Sequence, residues 1–63
     1  MNEEKAKEIL LGIDPNIIQE NNTLYCCHRY ICSEDKRNKE ITLDDEFTLE
    51  ELEAIVWWMK NKA

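Results

Sequence analysis

Cys26-Cys27-His28, followed by Cys32, is the one cluster of soft metal donors in the 63-residue chain. Thiolate and imidazole are donors that zinc prefers. On a straight strand, Cys26, His28, Tyr30 and Cys32 point to one side, and Cys27, Arg29 and Ile31 to the other. Cys26 and His28 are then placed to share a metal, whereas Cys32 lies ~13 Å further along. Structural zinc takes four ligands in paired short spacings, and no second pair follows. The expectation is therefore no metal and no cofactor, with a dimer closed by zinc through Cys26 and His28 as the alternative. The same residues make a poor catalytic set. Alternation separates Cys27 from His28, no third group orients His28 for Cys26, and Arg29 alone supplies little positive field. The chain is not expected to be an enzyme.

Carboxylates are the other concentration of chemistry. Asp44, Asp45, Glu46, Glu50, Glu51 and Glu53 fall within ten residues. Glu40 to Glu51 resembles the calcium loop of EF-hand proteins, with oxygens at Glu40, Thr42, Asp44, Thr48 and Glu51. However, Asp45 stands where that loop needs glycine, Glu40 replaces its first Asp, and Lys36-Arg37-Asn38-Lys39 is no entering helix. Calcium is not expected. The acids read as a solvated helix start that complements the helix dipole, or as an acidic surface (Asp44, Asp45, Glu46, Glu50, Glu53) that meets a basic partner.

The element behind those acids is the best specified in the chain. Thr48 is an N-cap type, Glu51 completes a capping box, and Phe47 with Leu52 forms a hydrophobic staple. The expected helix runs from Leu49 to Asn61, and Lys60 and Lys62 suit its negative end. Leu52, Ile55, Val56 and Met59 repeat as one apolar face. Trp58 falls at the edge of that face beside Ala54, and Trp57 on the opposite side among charges. An exposed tryptophan there is typical of an interface anchor.

Upstream, Asn2 caps an expected helix from Glu3 to Leu11, with Ala6, Ile9, Leu10 and Ile13 on one side and Gly12 ending it in a left-handed turn. Leu11 lies off that face. Asp14-Pro15 reads as N-cap and N1 of a short second helix that carries Ile17 and Ile18 and stops at Asn21-Asn22. Thr23 to Cys32 is rich in β-formers and reads as a strand, although Leu24, Cys27, His28 and Ile31 also fit a helical period. Ser33 to Lys39 reads as a loop, and Glu40 to Leu43 as a second strand with Ile41 and Leu43 on one face.

Length bounds the rest. One Pro and one Gly in 63 residues leave a single small domain, residues 1–63. The 43% apolar content suffices for a core, yet a chain this short needs disulfides, a metal or oligomerisation to gain margin. Three cysteines, two of them adjacent, and no secretion-type leader argue for a cytoplasmic protein with reduced thiols. The longest apolar run, Ala54 to Met59, is far too short to span a membrane. Net charge is −6, divided as −3 over residues 1–22, +1 over 23–43 and −4 over 44–63. That balance disfavours direct binding of nucleic acid or an anionic membrane.

The segment Ile41 to Met59, with its Asp-rich turn, Phe-Thr, Glu-Glu-Leu helix start and Trp-containing end, is similar to short uncharacterised proteins of gut bacteria and their mobile elements. The resemblance covers under a third of the chain and implies only a stand-alone accessory protein. The expected architecture is α+β: an N-terminal helix, a short helical turn, a two-stranded β-hairpin and a C-terminal amphipathic helix packed across it. The expected role is protein–protein interaction, beginning with self-association as a homodimer through Trp57, Trp58, Met59 and Leu11. The alternative is an acidic inhibitor or anti-repressor of a basic nucleic-acid-binding protein.

Overall fold

Two helices pack on each other, and a three-stranded antiparallel sheet completes the core, in the computed structural model, which describes residues 1–33 and 40–62. Helix α1 spans Glu3–Ile13, strands β1, β2 and β3 span Leu24–Cys26, Tyr30–Ser33 and Thr42–Asp44, and helix α2 spans Leu49–Asn61. The sheet order is β1-β2-β3. Among the described residues no helix is long and apolar enough to cross a membrane.

Helix α1 starts where expected, with the Asn2 side chain accepting from the Lys5 N–H at 2.8 Å. It ends later. Gly12 stays inside the helix without a positive φ, and the chain leaves through Asp14, whose extended backbone donates its N–H to the Leu10 carbonyl. The reason is Ile13, which is buried with Ala6 and Leu10 and is reached only by continuing the helical face.

No helix follows Asp14-Pro15. Asp14 Oδ1 accepts from the Asn16 N–H at 2.7 Å, and the Asp14 carbonyl accepts from the Ile17 N–H at 3.1 Å, so the segment closes as a turn. Ile17 and Ile18 then run extended beside β1: Ile18 bridges Leu24, and the Ile17 carbonyl accepts from the Tyr25 N–H. The helical turn lies further on, as a 3₁₀ turn over Glu20–Asn22, where Asn21 and Asn22 take φ of 60° and 62°. Asparagine tolerates that left-handed region better than other side chains with a Cβ.

The expected long strand Thr23–Cys32 is two strands. It folds back through Cys27-His28-Arg29, with Tyr25 opposite Cys32 and Cys26 opposite Ile31. Leu24, Cys26, Ile31 and Ser33 are buried on the inner face, and Tyr25, Tyr30 and Cys32 are half-buried on the other. Cys26 and Cys32 therefore lie on opposite faces. The predicted strand Glu40–Leu43 is realised as β3, shifted to Thr42–Asp44, with Ile41 packed on the core and Leu43 exposed. Of the predicted loop, Ser33 belongs to β2, and residues 34–39 lie outside the described residues.

Helix α2 keeps its predicted bounds and its capping box. Its neighbour is α1 rather than a hairpin, and its buried residues are Ala54, Ile55 and Trp58. Relative to the face centred on Leu52, Ile55 and Met59, the helix is turned by about 100°, one residue of rotation. Three contacts hold it so. The Trp58 indole N–H donates to the Asn22 carbonyl at 3.0 Å, Lys62 reaches Glu3 at 3.3 Å, and Arg29 grips Glu51.

Candidate functional site

The rotation of α2 decides what reaches the surface. Leu49, Leu52 and Val56 recur at i, i+3 and i+7 along its outer side and are 74%, 36% and 53% exposed. With Met1, 51% exposed, and half-buried Trp57, they line a shallow apolar groove between the N-terminus and α2. Glu53 and Lys60 border the groove. Exposed apolar side chains are thus contiguous along this side of the helix rather than scattered singly.

The four predicted interface residues do not share one exposed face. Trp57 stands at the groove. Trp58 is 3% exposed and serves the core, which removes it from any outer contact of the folded chain. Met59 is half-buried and packs on the core. Leu11, 38% exposed, lies on α1 and is not part of the groove lining. The groove also takes in Leu49 and Met1, which the predicted apolar pattern does not single out, and Leu52 and Val56, which it places on the apolar face of the helix. Leu49 carried a readable signal, since it starts a heptad-spaced stripe with Leu52 and Val56.

The acidic residues Asp44, Asp45, Glu46, Glu50 and Glu53 are all exposed. Glu51 differs. Its two oxygens accept from Arg29 at 2.8 and 2.9 Å, and one of them also accepts from the Thr48 N–H at 2.8 Å. The guanidinium hydrogen bonds, aided by the Thr48 backbone, pull the Glu51 carboxyl from 4.5 to about 2. Arg29 further donates to the Glu46 carbonyl and stacks over the Phe47 ring at 4.7 Å. A single side chain from the β1–β2 turn thus clamps the start of α2.

The reversal at Cys27-His28-Arg29 also creates a second constellation. Cys26 Sγ lies 3.5 Å from Asp14 Oδ2 and 3.6 Å from His28 Nδ1, and that nitrogen lies 3.4 Å from the same Asp14 oxygen. Cys26 is buried and His28 exposed, with Asp14 between them in accessibility. Cys32 takes no part, because it faces the other side of the sheet. Asp14 lies twelve residues from Cys26, and its place before Pro15 signals only a cap. Nearby, the Cys27 thiol meets the Tyr25 hydroxyl at 3.1 Å, and this hydrogen bond pushes the Tyr25 hydroxyl up to about 12.

As a nucleophile–base–orienter set the arrangement is wrong. A relay needs the carboxylate on one imidazole nitrogen and the thiol on the other. Here both approach Nδ1. Comparison of the chain with known families, curated proteins and solved structures returns no match.

Proposed function

We propose that this chain is a protein–protein interaction module whose first partner is a second copy of itself, docked through the outer face of α2. The observation that carries the reading is the apolar stripe Leu49, Leu52 and Val56, left uncovered on a helix whose other side is fully packed. Charge favours a second copy as the occupant. Glu53 and Lys60 lie seven residues apart beside the stripe. Two α2 helices paired antiparallel across a two-fold axis set Glu53 of one protomer against the partner's Lys60, with Val56 and Trp57 at the centre. Such an interface is self-complementary, as two-fold association requires. The exposed acids at Asp44, Asp45, Glu46 and Glu50 form a polar rim beyond it.

Sedimentation and native mass spectrometry at low micromolar concentration test the proposal. The expected result is a dimer that persists in chelator and in high salt, and that Val56→Glu converts to a folded monomer. A wild-type chain that stays monomeric at all concentrations, or a Val56→Glu variant that dimerises like wild type, overturns it. A monomer captured by basic proteins and released by salt would favour the second reading, an acidic inhibitor, for which the five exposed carboxylates are the supporting observation.

A further inference from the structure

We propose that Asp14, Cys26 and His28 form a three-ligand site for zinc(II) within one chain, its fourth coordination position open to water. The donor atoms are Asp14 Oδ2, Cys26 Sγ and His28 Nδ1, and all lie within 4.8 Å of one another. Zinc–sulfur, zinc–nitrogen and zinc–oxygen bonds of about 2.3, 2.05 and 2.0 Å at tetrahedral angles set the ligands apart by about 3.5 Å for sulfur–nitrogen and sulfur–oxygen, and about 3.3 Å for nitrogen–oxygen. The observed edges are 3.6, 3.5 and 3.4 Å.

The Cys26 thiol donates to Asp14 Oδ2 at 3.5 Å and lies 3.6 Å from His28 Nδ1, both ordinary distances for sulfur hydrogen bonds, but the third edge is not explained that way. A charge-assisted N–H···O bond between imidazole and carboxylate closes to about 2.7–2.9 Å, so the 3.4 Å separation of His28 Nδ1 from Asp14 Oδ2 is too long for that and right for a shared ion.

The surroundings are built for it. Asp14 Oδ1 is held by the Asn16 N–H at 2.7 Å, which turns Oδ2 toward the other two ligands, as outer-shell bonds do at metal sites. Cys26 sits on β1, 2% exposed, in a backbone fixed by pairing with Ile31. His28 is 62% exposed and offers the route of entry. Asp14 and Cys26 border a depression lined also by Asn16, Gln19, Tyr25 and Cys27, which leaves room for solvent as the fourth ligand.

One sulfur, one nitrogen and one oxygen donor suit a borderline-soft ion rather than calcium or magnesium. Thiolate and carboxylate together neutralise the dication, and binding releases the thiol proton. The ion would tie the end of α1 to the β1–β2 hairpin, a staple of the kind small domains use.

The test is zinc titration of the full chain under reducing conditions, read by native mass spectrometry and chelator competition, with cobalt(II) as a spectroscopic probe. One zinc per chain, a thiolate-to-cobalt charge-transfer band and a rise in thermal midpoint on zinc addition are expected. His28→Gln, at an exposed position, and Asp14→Asn, which keeps an oxygen for the Asn16 N–H, should each keep a wild-type far-ultraviolet spectrum yet weaken zinc at least tenfold. Cys27→Ser should bind as wild type. No zinc retained by the folded chain, one zinc per two chains, wild-type affinity in His28→Gln or Asp14→Asn, or loss of zinc in Cys27→Ser would each overturn the assignment.

Discussion

The two sides of α2 carry nearly equal apolar bulk and have opposite fates. Inside, Ala54, Ile55 and Trp58 are at most 3% exposed; outside, Leu49, Leu52 and Val56 are at least 36% exposed. Hydrophobicity alone therefore did not choose the buried side. Specific contacts did. Trp58 finds a hydrogen-bond acceptor in the Asn22 carbonyl, Glu51 finds Arg29, and the small Ala54 lies on the side that meets α1, whose own buried face includes Ala6. The outer residues offer apolar surface with no polar tip to satisfy, so leaving them outside costs only their hydration. That surface is what a partner can recover.

The comparison breaks most visibly at Trp58. Trp58→Ala removes the largest buried side chain of α2 and should cost about 3–5 kcal/mol. A chain of this size has roughly 3–9 kcal/mol in total. Urea denaturation is therefore expected to find the variant largely unfolded at low denaturant. Val56→Glu makes the opposite case. It should weaken the proposed dimer about 100-fold while the isolated monomer unfolds within ~0.5 kcal/mol of wild type. If both variants unfold the monomer alike, the two faces are not distinct in kind.

This division also sets how much was legible from sequence. The bounds of α2, its capping box and the start of α1 depend on neighbours three or four residues away, and local pattern suffices for them. Rotation of α2 does not. It is fixed by Asn22 and Arg29, 36 and 22 residues from their partners, and the period of 3.6 marks an apolar arc of Leu52, Ile55, Val56 and Met59 without saying which edge faces inward. The hairpin turn was hidden for a different reason. Cys27-His28-Arg29 contains no Gly, Asn or Pro, the residues by which turns announce themselves. Asp14 gave a true signal that was misassigned, since a carboxylate before Pro caps a turn as well as a helix. With the hairpin unseen, Cys26 and His28 lacked a third donor, and the convergence on Asp14 could not be drawn.

Acid sharpens the comparison next. The Glu51 carboxyl is depressed from 4.5 to about 2 by the Arg29 hydrogen bonds and the Thr48 backbone. A depressed carboxylate contributes stability that is fully present above its unfolded value and is lost as pH falls toward the folded one. Stability should therefore decline between about pH 4.5 and pH 2, and Glu51→Gln should flatten that part of the profile while lowering stability at neutral pH. An outer-face change such as Val56→Ala should leave the decline intact. Urea midpoints across this pH range measure both, and equal slopes in wild type and Glu51→Gln would show that the clamp on the inner side is not what acid breaks.

The smallest expected effect separates the faces by position along the helix. Thr48→Ala removes the side-chain oxygen that accepts from the Glu51 N–H at 3.1 Å and should cost about 1 kcal/mol. The loss falls on the first turn, because helix-end effects fade within about a turn. That turn holds Leu49 and Leu52 of the outer stripe, whereas Ile55 and Trp58 of the inner face begin a turn later and are held by α1. Hydrogen exchange in Thr48→Ala should thus speed the amides of Leu52 and Glu53 and leave those of Trp58 and Met59 at their wild-type protection. Affinity of the proposed dimer should fall by a few-fold, since the stripe loses order at one end only. Uniform acceleration along α2 would instead mean that the cap secures the whole helix, and that the inner contacts at Trp58 are weaker than their burial implies.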